Sequence, residues 1–99
     1  MLVEINEENF NKNVENGLKL IEFYTPWCGF CKKQDMVFDE LPNIWVGKIN
    51  GDENPKLVHE FNVSGYPSFV LFKNGEIITE FSGYHDKNNL IMRLAQHIK

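Results

Sequence analysis

Leu18-Lys19-Leu20-Ile21-Glu22-Phe23-Tyr24 is a nearly continuous apolar run that leads through Thr25-Pro26 straight into Trp27-Cys28-Gly29-Phe30-Cys31-Lys32. Such a run reads as a central strand covered on both faces, and the proline ends it. The two cysteines are the only ones in the chain and stand three positions apart. On a helix, that spacing puts both sulfurs on one face, close enough to bond. A buried strand that delivers Cys-x-x-Cys to a helix start is a redox arrangement. The unfilled N–H groups of the first turn stabilise a thiolate there.

Two other uses of a close cysteine pair compete with this one. A structural zinc needs four ligands, and beyond the pair the chain offers His59, His85 and His97 without ligand spacing. No metal or other cofactor is implied. A permanent structural disulfide across so short a loop removes little chain entropy, so the fold gains little from it. The opening Met1-Leu2-Val3-Glu4-Ile5-Asn6-Glu7-Glu8 is acidic and has no apolar run of signal length. A reducing, cytoplasmic compartment is expected, where a cysteine pair is more often catalytic than structural.

A chain of 99 residues suffices for one domain, residues 1–99, with a single core. Its net charge of −4 argues against nucleic acid as a partner, and no apolar stretch reaches membrane-spanning length. The pattern predicts a strand over Leu2 to Ile5, capped by Asn6 into a helix from Glu7 to Asn16. Gly17 stops that helix, and the strand Leu18–Tyr24 follows. A helix runs from about Cys28 to about Glu40, with Met36, Val37 and Leu41 inward, and Pro42 closes it. Ile44 to Ile49 is the next strand. Asn54-Pro55 opens a short helix to about Phe61. Ser68–Lys73 and Glu76–Ser82 flank Asn74-Gly75, a strong hairpin signal. Asp86 caps a last helix carrying Leu90, Ile91, Leu94 and Ile98 at helical spacing. The order β-α-β-α-β-α-β-β-α predicts an α/β fold, a mixed sheet of about five strands with helices on both faces.

With these elements placed, the chain resembles the thioredoxin family over essentially its whole length. The matching pieces are Phe23-Tyr24-x-Pro26-Trp27-Cys28-Gly29-x-Cys31-Lys32, Val63-x-Gly65-x-Pro67, Phe72-Lys73-Asn74-Gly75, and Gly83 after the hairpin. The resemblance implies a thioredoxin fold and a thiol–disulfide oxidoreductase that acts on disulfide-containing proteins. It implies a monomer with no bound cofactor, re-reduced by a flavoprotein reductase. Three departures are visible. Met36 stands where the family usually has a helix proline, the segment from Cys31 to Lys48 is short, and Gly29-Phe30 replaces the usual Gly-Pro. A disulfide isomerase or oxidase type of domain is the alternative enzyme, without histidine at position 30. A non-catalytic peptide-binding module is the alternative outside enzymes.

Exchange needs a thiolate to form a mixed disulfide and a second thiol to displace the product. Cys28, preceding the helix body and near Lys32, is the expected nucleophile, and Cys31, one turn inward, the resolving thiol. Glu22 interrupts an apolar strand, where a carboxylate is costly unless useful or paired. By resemblance it takes the family's buried-acid position, with Lys48 as its lysine partner. Burial raises such an acid's pKa and a nearby cation lowers it, which tunes a proton acceptor. Pro67 resembles the family's cis-proline, facing the cysteines. Trp27, Phe30, Tyr66 and Tyr84 are expected to form an aromatic rim unless they pack into the core. Gly29, Gly65 and Gly83 complete the expected substrate-binding set.

Overall fold

The computed structural model describes residues 1–97, so Ile98, the last apolar position expected in the closing helix, lies outside them. The elements are β1 (Leu2–Ile5), α1 (Phe10–Val14), β2 (Leu18–Tyr24), α2 (Gly29–Asp39), β3 (Val46–Asn50), α3 (Pro55–Glu60), β4 (Ser68–Lys73), β5 (Glu76–Ser82) and α4 (Lys87–Ala95). They form the expected α/β fold around a mixed five-stranded sheet in the order β1-β3-β2-β4-β5. The apolar strand β2 sits at its centre, parallel to β3 and antiparallel to β4.

Alternation along β2 divides the core into two layers. Ile21 and Phe23 face α1 and α3, joining Phe10, Val14 and Leu57. Leu20 faces α2 and α4, joining Val37, Phe38, Leu90 and Leu94. Glu22 shares the parity of Leu20, so the one acid of this strand lies on the side of α2 and α4. Both layers are rich in rings: Phe10, Phe61 and Phe72 meet at 5.5–6.0 Å on one side, and Phe69 stacks on Phe81 at 4.8 Å on the other. Among the eight phenylalanines, Phe30 is the one exposed to solvent, at 60%. Its side chain is therefore free of a core role.

The β4–β5 hairpin turns through Asn74 (φ 51°) and Gly75 (φ 84°), the two positive φ values that a tight type I′ turn demands. Asn74 also ties this turn to the start of β2. Its backbone N–H donates to Gly17 O at 2.9 Å, and its Oδ1 accepts from the Gly17 N–H at 2.8 Å.

Several expectations are corrected by packing. The first helix starts at Phe10, not Glu7, because Asn6 Oδ1 accepts from the N–H groups of Glu8 and Asn9 and holds 7–9 as a turn. Glu7 instead caps a different helix, accepting the Lys56 N–H at 2.8 Å. Asn54 does not cap α3 with its side chain; it accepts from the Glu7 N–H and donates to Asn50 O. β3 begins at Val46, leaving Ile44 and Trp45 outside the strand. Met36, expected inward, is 68% exposed, and α2 buries Cys31, Gln34, Val37 and Phe38 instead. Asp86 caps α4 as expected, accepting from the Asn89 N–H at 2.9 Å, while Ile91 is 41% exposed and stays out of the buried core.

Candidate active site

The buried strand β2 fixes where the cysteines emerge. After Tyr24 the chain turns through Thr25 and Pro26, and the Cys28 N–H returns to Thr25 O at 3.2 Å. Cys28 then occupies the N-cap of α2 in extended conformation, with Cys31 in the first turn. The two are joined as a disulfide with Cα atoms 5.3 Å apart, inside the range such a bond spans. The Cys31 N–H donates to Cys28 Sγ at 3.1 Å. That donor belongs to the unfilled set at a helix start, and it is aimed at the outer sulfur. Cys28 is 6% exposed and Cys31 2%, so the access that exists favours Cys28.

Glu22 is wholly buried, and neither of its carboxyl oxygens has a hydrogen-bond partner. Its pKa rises from 4.5 to about 8, chiefly through burial and then through the negative charge of Asp35, with Lys48 pulling the other way. Strand register sets Lys48 directly beside Glu22. Its ammonium nevertheless donates to Asp35 Oδ2 on α2 and lies 4.2 Å from the centroid of the Tyr24 ring. The lysine is adjacent to the acid as expected, but its charge partner is Asp35, a residue the sequence reading passed over. Helical spacing carried the signal, since Asp35 lies four positions after Cys31 and Gln34 three.

Gln34 clamps α2 to the loop that carries Gly83 and Tyr84. Its Nε2 donates to His85 O at 2.9 Å, and its Oε1 accepts the His85 N–H at 2.8 Å. Gln34→Leu should leave both His85 backbone groups unpaired beside a buried side chain, costing about 1–3 kcal/mol of stability. Urea unfolding measures the loss, and amide exchange at His85 should accelerate in the same variant.

Of the four rings expected in an aromatic rim, Trp27 and Tyr66 meet one another. Trp27 is 70% exposed and donates Nε1–H to Asp52 Oδ2 at 3.0 Å. Tyr66 meets it edge-on at 6.1 Å, and the Tyr66 ring in turn rests on Gly51. A Cβ at Gly51 would stand 2.7 Å from Tyr66 Cε1, so a glycine is needed for the ring to lie there. Asp52 was also missed, and nothing local marks it, because its role depends on the β3–α3 turn folding over Trp27. The Tyr66–Pro67 peptide is cis, Pro67 is buried, and Pro67 O accepts the Gly83 N–H at 2.8 Å. Gly65 is exposed just before it, its carbonyl accepting from Ser68 Oγ. Tyr84 stands apart from the Trp27–Tyr66 pair, half-buried against the α2/α4 layer with the Lys33 ammonium 5.0 Å from its ring centroid. Gly29 and Phe30, between the cysteines, are both exposed.

A cysteine pair at the N-terminus of a helix, held by the central strand of a mixed five-stranded sheet, defines a thiol–disulfide oxidoreductase. The thioredoxin family model matches residues 1–96. A thioredoxin of Staphylococcus haemolyticus is 34% identical, with 98% of each chain covered. One from Chlamydia caviae is 36% identical, over 98% of this chain and 99% of its own. Among solved structures, a mutant thioredoxin from Halobacterium salinarum superposes with a TM-score of 0.87 at 28% identity, covering 99% of this chain and 91% of that one. The chain belongs to the thioredoxin family. It is a protein-disulfide reductase by that membership, acting on disulfide substrates and re-reduced by a reductase.

Proposed function

We propose that Cys28 is the nucleophile and Cys31 the resolving thiol of a cytoplasmic reductase of protein disulfides. The observation that carries this is the Cys31 N–H aimed at Cys28 Sγ, which stabilises negative charge on that sulfur when the pair is reduced. Substrate lies along Trp27, Gly29, Phe30, Gly65, Tyr66, Pro67, Gly83 and Tyr84. The exposed rings of Trp27 and Phe30 suit flexible, disulfide-bearing segments. Glu22, with Lys48 beside it, serves proton transfer to and from Cys31. Both cysteines of the chain stand in this one pair, a usage that suits a reducing compartment. The domain works as a monomer without a resident cofactor, and a flavoprotein reductase recycles it.

The direction of electron flow follows from position 30. Phe30 brings no positive charge to the Cys28 thiolate, whereas a histidine there would stabilise the reduced form and make the protein oxidising. Thioredoxins lie near about −270 mV and disulfide isomerase near about −180 mV, a gap of roughly 4 kcal/mol for a two-electron couple. The expected potential is roughly −220 mV or below, and Phe30→His should raise it. Equilibration against glutathione buffers measures both proteins. A potential close to the isomerase value would transfer the protein to the oxidase or isomerase class.

A further inference from the structure

Three carboxyl oxygens are buried on the α2 side of the sheet without a donor: both of Glu22 and Oδ1 of Asp35. Strand register puts Lys48 beside Glu22, and the Lys48 ammonium engages the second oxygen of Asp35, so the two acids meet around one cation and the charge of Asp35 helps to raise the Glu22 pKa. Two carboxylates have no proton to offer each other, so both cannot be ionised in contact. One proton between them converts two orphaned acceptors into a hydrogen-bonded pair. With that proton the Glu22, Asp35 and Lys48 group is neutral; without it a buried negative charge is left over.

We propose that Asp35 is a positioning residue of the redox site, which shares one proton with Glu22 between its Oδ1 and a Glu22 oxygen and holds the Lys48 ammonium on itself. The proposal rests on the reading that Glu22 exchanges protons with Cys31. Glu22 has no solvent access, whereas the Asp35 side chain is 31% exposed and that of Lys48 13%. Asp35 therefore links the buried acid to water. When Cys31 attacks the mixed disulfide, the Cys28–Cys31 bond forms and the bond from Cys28 to the substrate sulfur breaks. The Cys31 proton passes to Glu22 as the proton already shared moves to Asp35 and out to water. The departing substrate thiolate takes up one proton from water, so the step balances.

The charged and titratable surroundings of Glu22 are few. α2 brings Asp35 and β3 brings Lys48, and Cys31 on α2 does not titrate while in the disulfide. β4 places Phe69 opposite, and α4 contributes Leu90 and Leu94 to the same layer. Along β2, Tyr24 bonds Glu4 at 2.9 Å and has its own pKa raised, by burial first and by Glu4 next.

Carbon-13 titration of the Glu22 side-chain carboxyl in the oxidised protein tests the proposal without any turnover. The midpoint in the unsubstituted protein is expected near about 8. Asp35→Asn and Asp35→Ala each remove a like charge and release Lys48 toward Glu22, so the midpoint should fall by about one pH unit or more. Asp35→Glu should restore it in part. A midpoint within about 0.3 pH units of the original in both neutral variants overturns the proposal. Should those variants not fold, the unsubstituted protein still decides. A Glu22 midpoint of about 8 in that protein is the expected result, and a midpoint within about one pH unit of 4.5 overturns the proposal. Failure here leaves the reductase reading standing, because turnover by the cysteine pair is measured separately.

Discussion

Cys28→Ser is expected to reduce turnover to background, a loss on the order of 10³-fold or more, the scale of removing a nucleophile outright. A serine hydroxyl is not ionised near neutrality, and the helix N-terminus that lowers a thiol's pKa cannot make it a competent attacker of sulfur. Cys31→Ser should behave differently. Its Cys28 still attacks, because the backbone N–H of residue 31 that faces Cys28 Sγ belongs to the main chain and survives the change. The second step is then missing, and the protein accumulates as a mixed disulfide with its substrate. Non-reducing electrophoresis reads the difference directly, as an adduct for Cys31→Ser and none for Cys28→Ser. An adduct on the Cys28→Ser protein instead would exchange the roles of the two cysteines.

The parts legible in the sequence are those whose signals are local. β2 came out with its ends intact because Gly17 and Pro26 bracket an apolar run. The hairpin did so because Asn74-Gly75 accepts the left-handed backbone its turn requires. The sequence extends α1 too far because Asn6 Oδ1 takes the N–H groups of Glu8 and Asn9 and holds 7–9 as a turn, while the Glu7 carboxylate reaches across the fold to the Lys56 N–H. No local rule contains that contact. On α2 the expected inward Val37 is buried, but Met36 is exposed and the polar members of the inner stripe are overlooked. The positions at three, four and seven after Cys31 are Gln34, Asp35 and Phe38, and Met36 falls outside that stripe. Reading polar residues on the inner stripe would have found both the His85 clamp and the carboxylate beside Glu22. Asp52 could not be found this way, since its bond to Trp27 spans two loops.

Glu22→Gln should remove much of the pH dependence of stability in the oxidised protein. The folded pKa of Glu22, about 8, lies above the 4.5 of an unburied glutamate. Between these values the folded state holds a proton that the unfolded state has released, so stability falls as pH rises. The contribution is fully present below about pH 4.5 and is lost as pH passes 8. At ~1.4 kcal/mol per pH unit, the loss from this one group amounts to about 5 kcal/mol. A glutamine amide keeps the shape of the protonated acid and can still donate to Asp35 Oδ1, which is otherwise without a donor. The variant and the parent should therefore be equally stable at low pH and diverge above it, the variant gaining up to about 5 kcal/mol beyond pH 8. Urea unfolding at pH 4, 7 and 9 measures this, and parallel curves for the two proteins would show that Glu22 ionises without resistance from its surroundings. The same substitution should slow resolution of the mixed disulfide near neutral pH, because an amide accepts no proton from Cys31. A carboxyl group that weakens the fold over the pH range where it is useful is the expected signature of a side chain kept for chemistry.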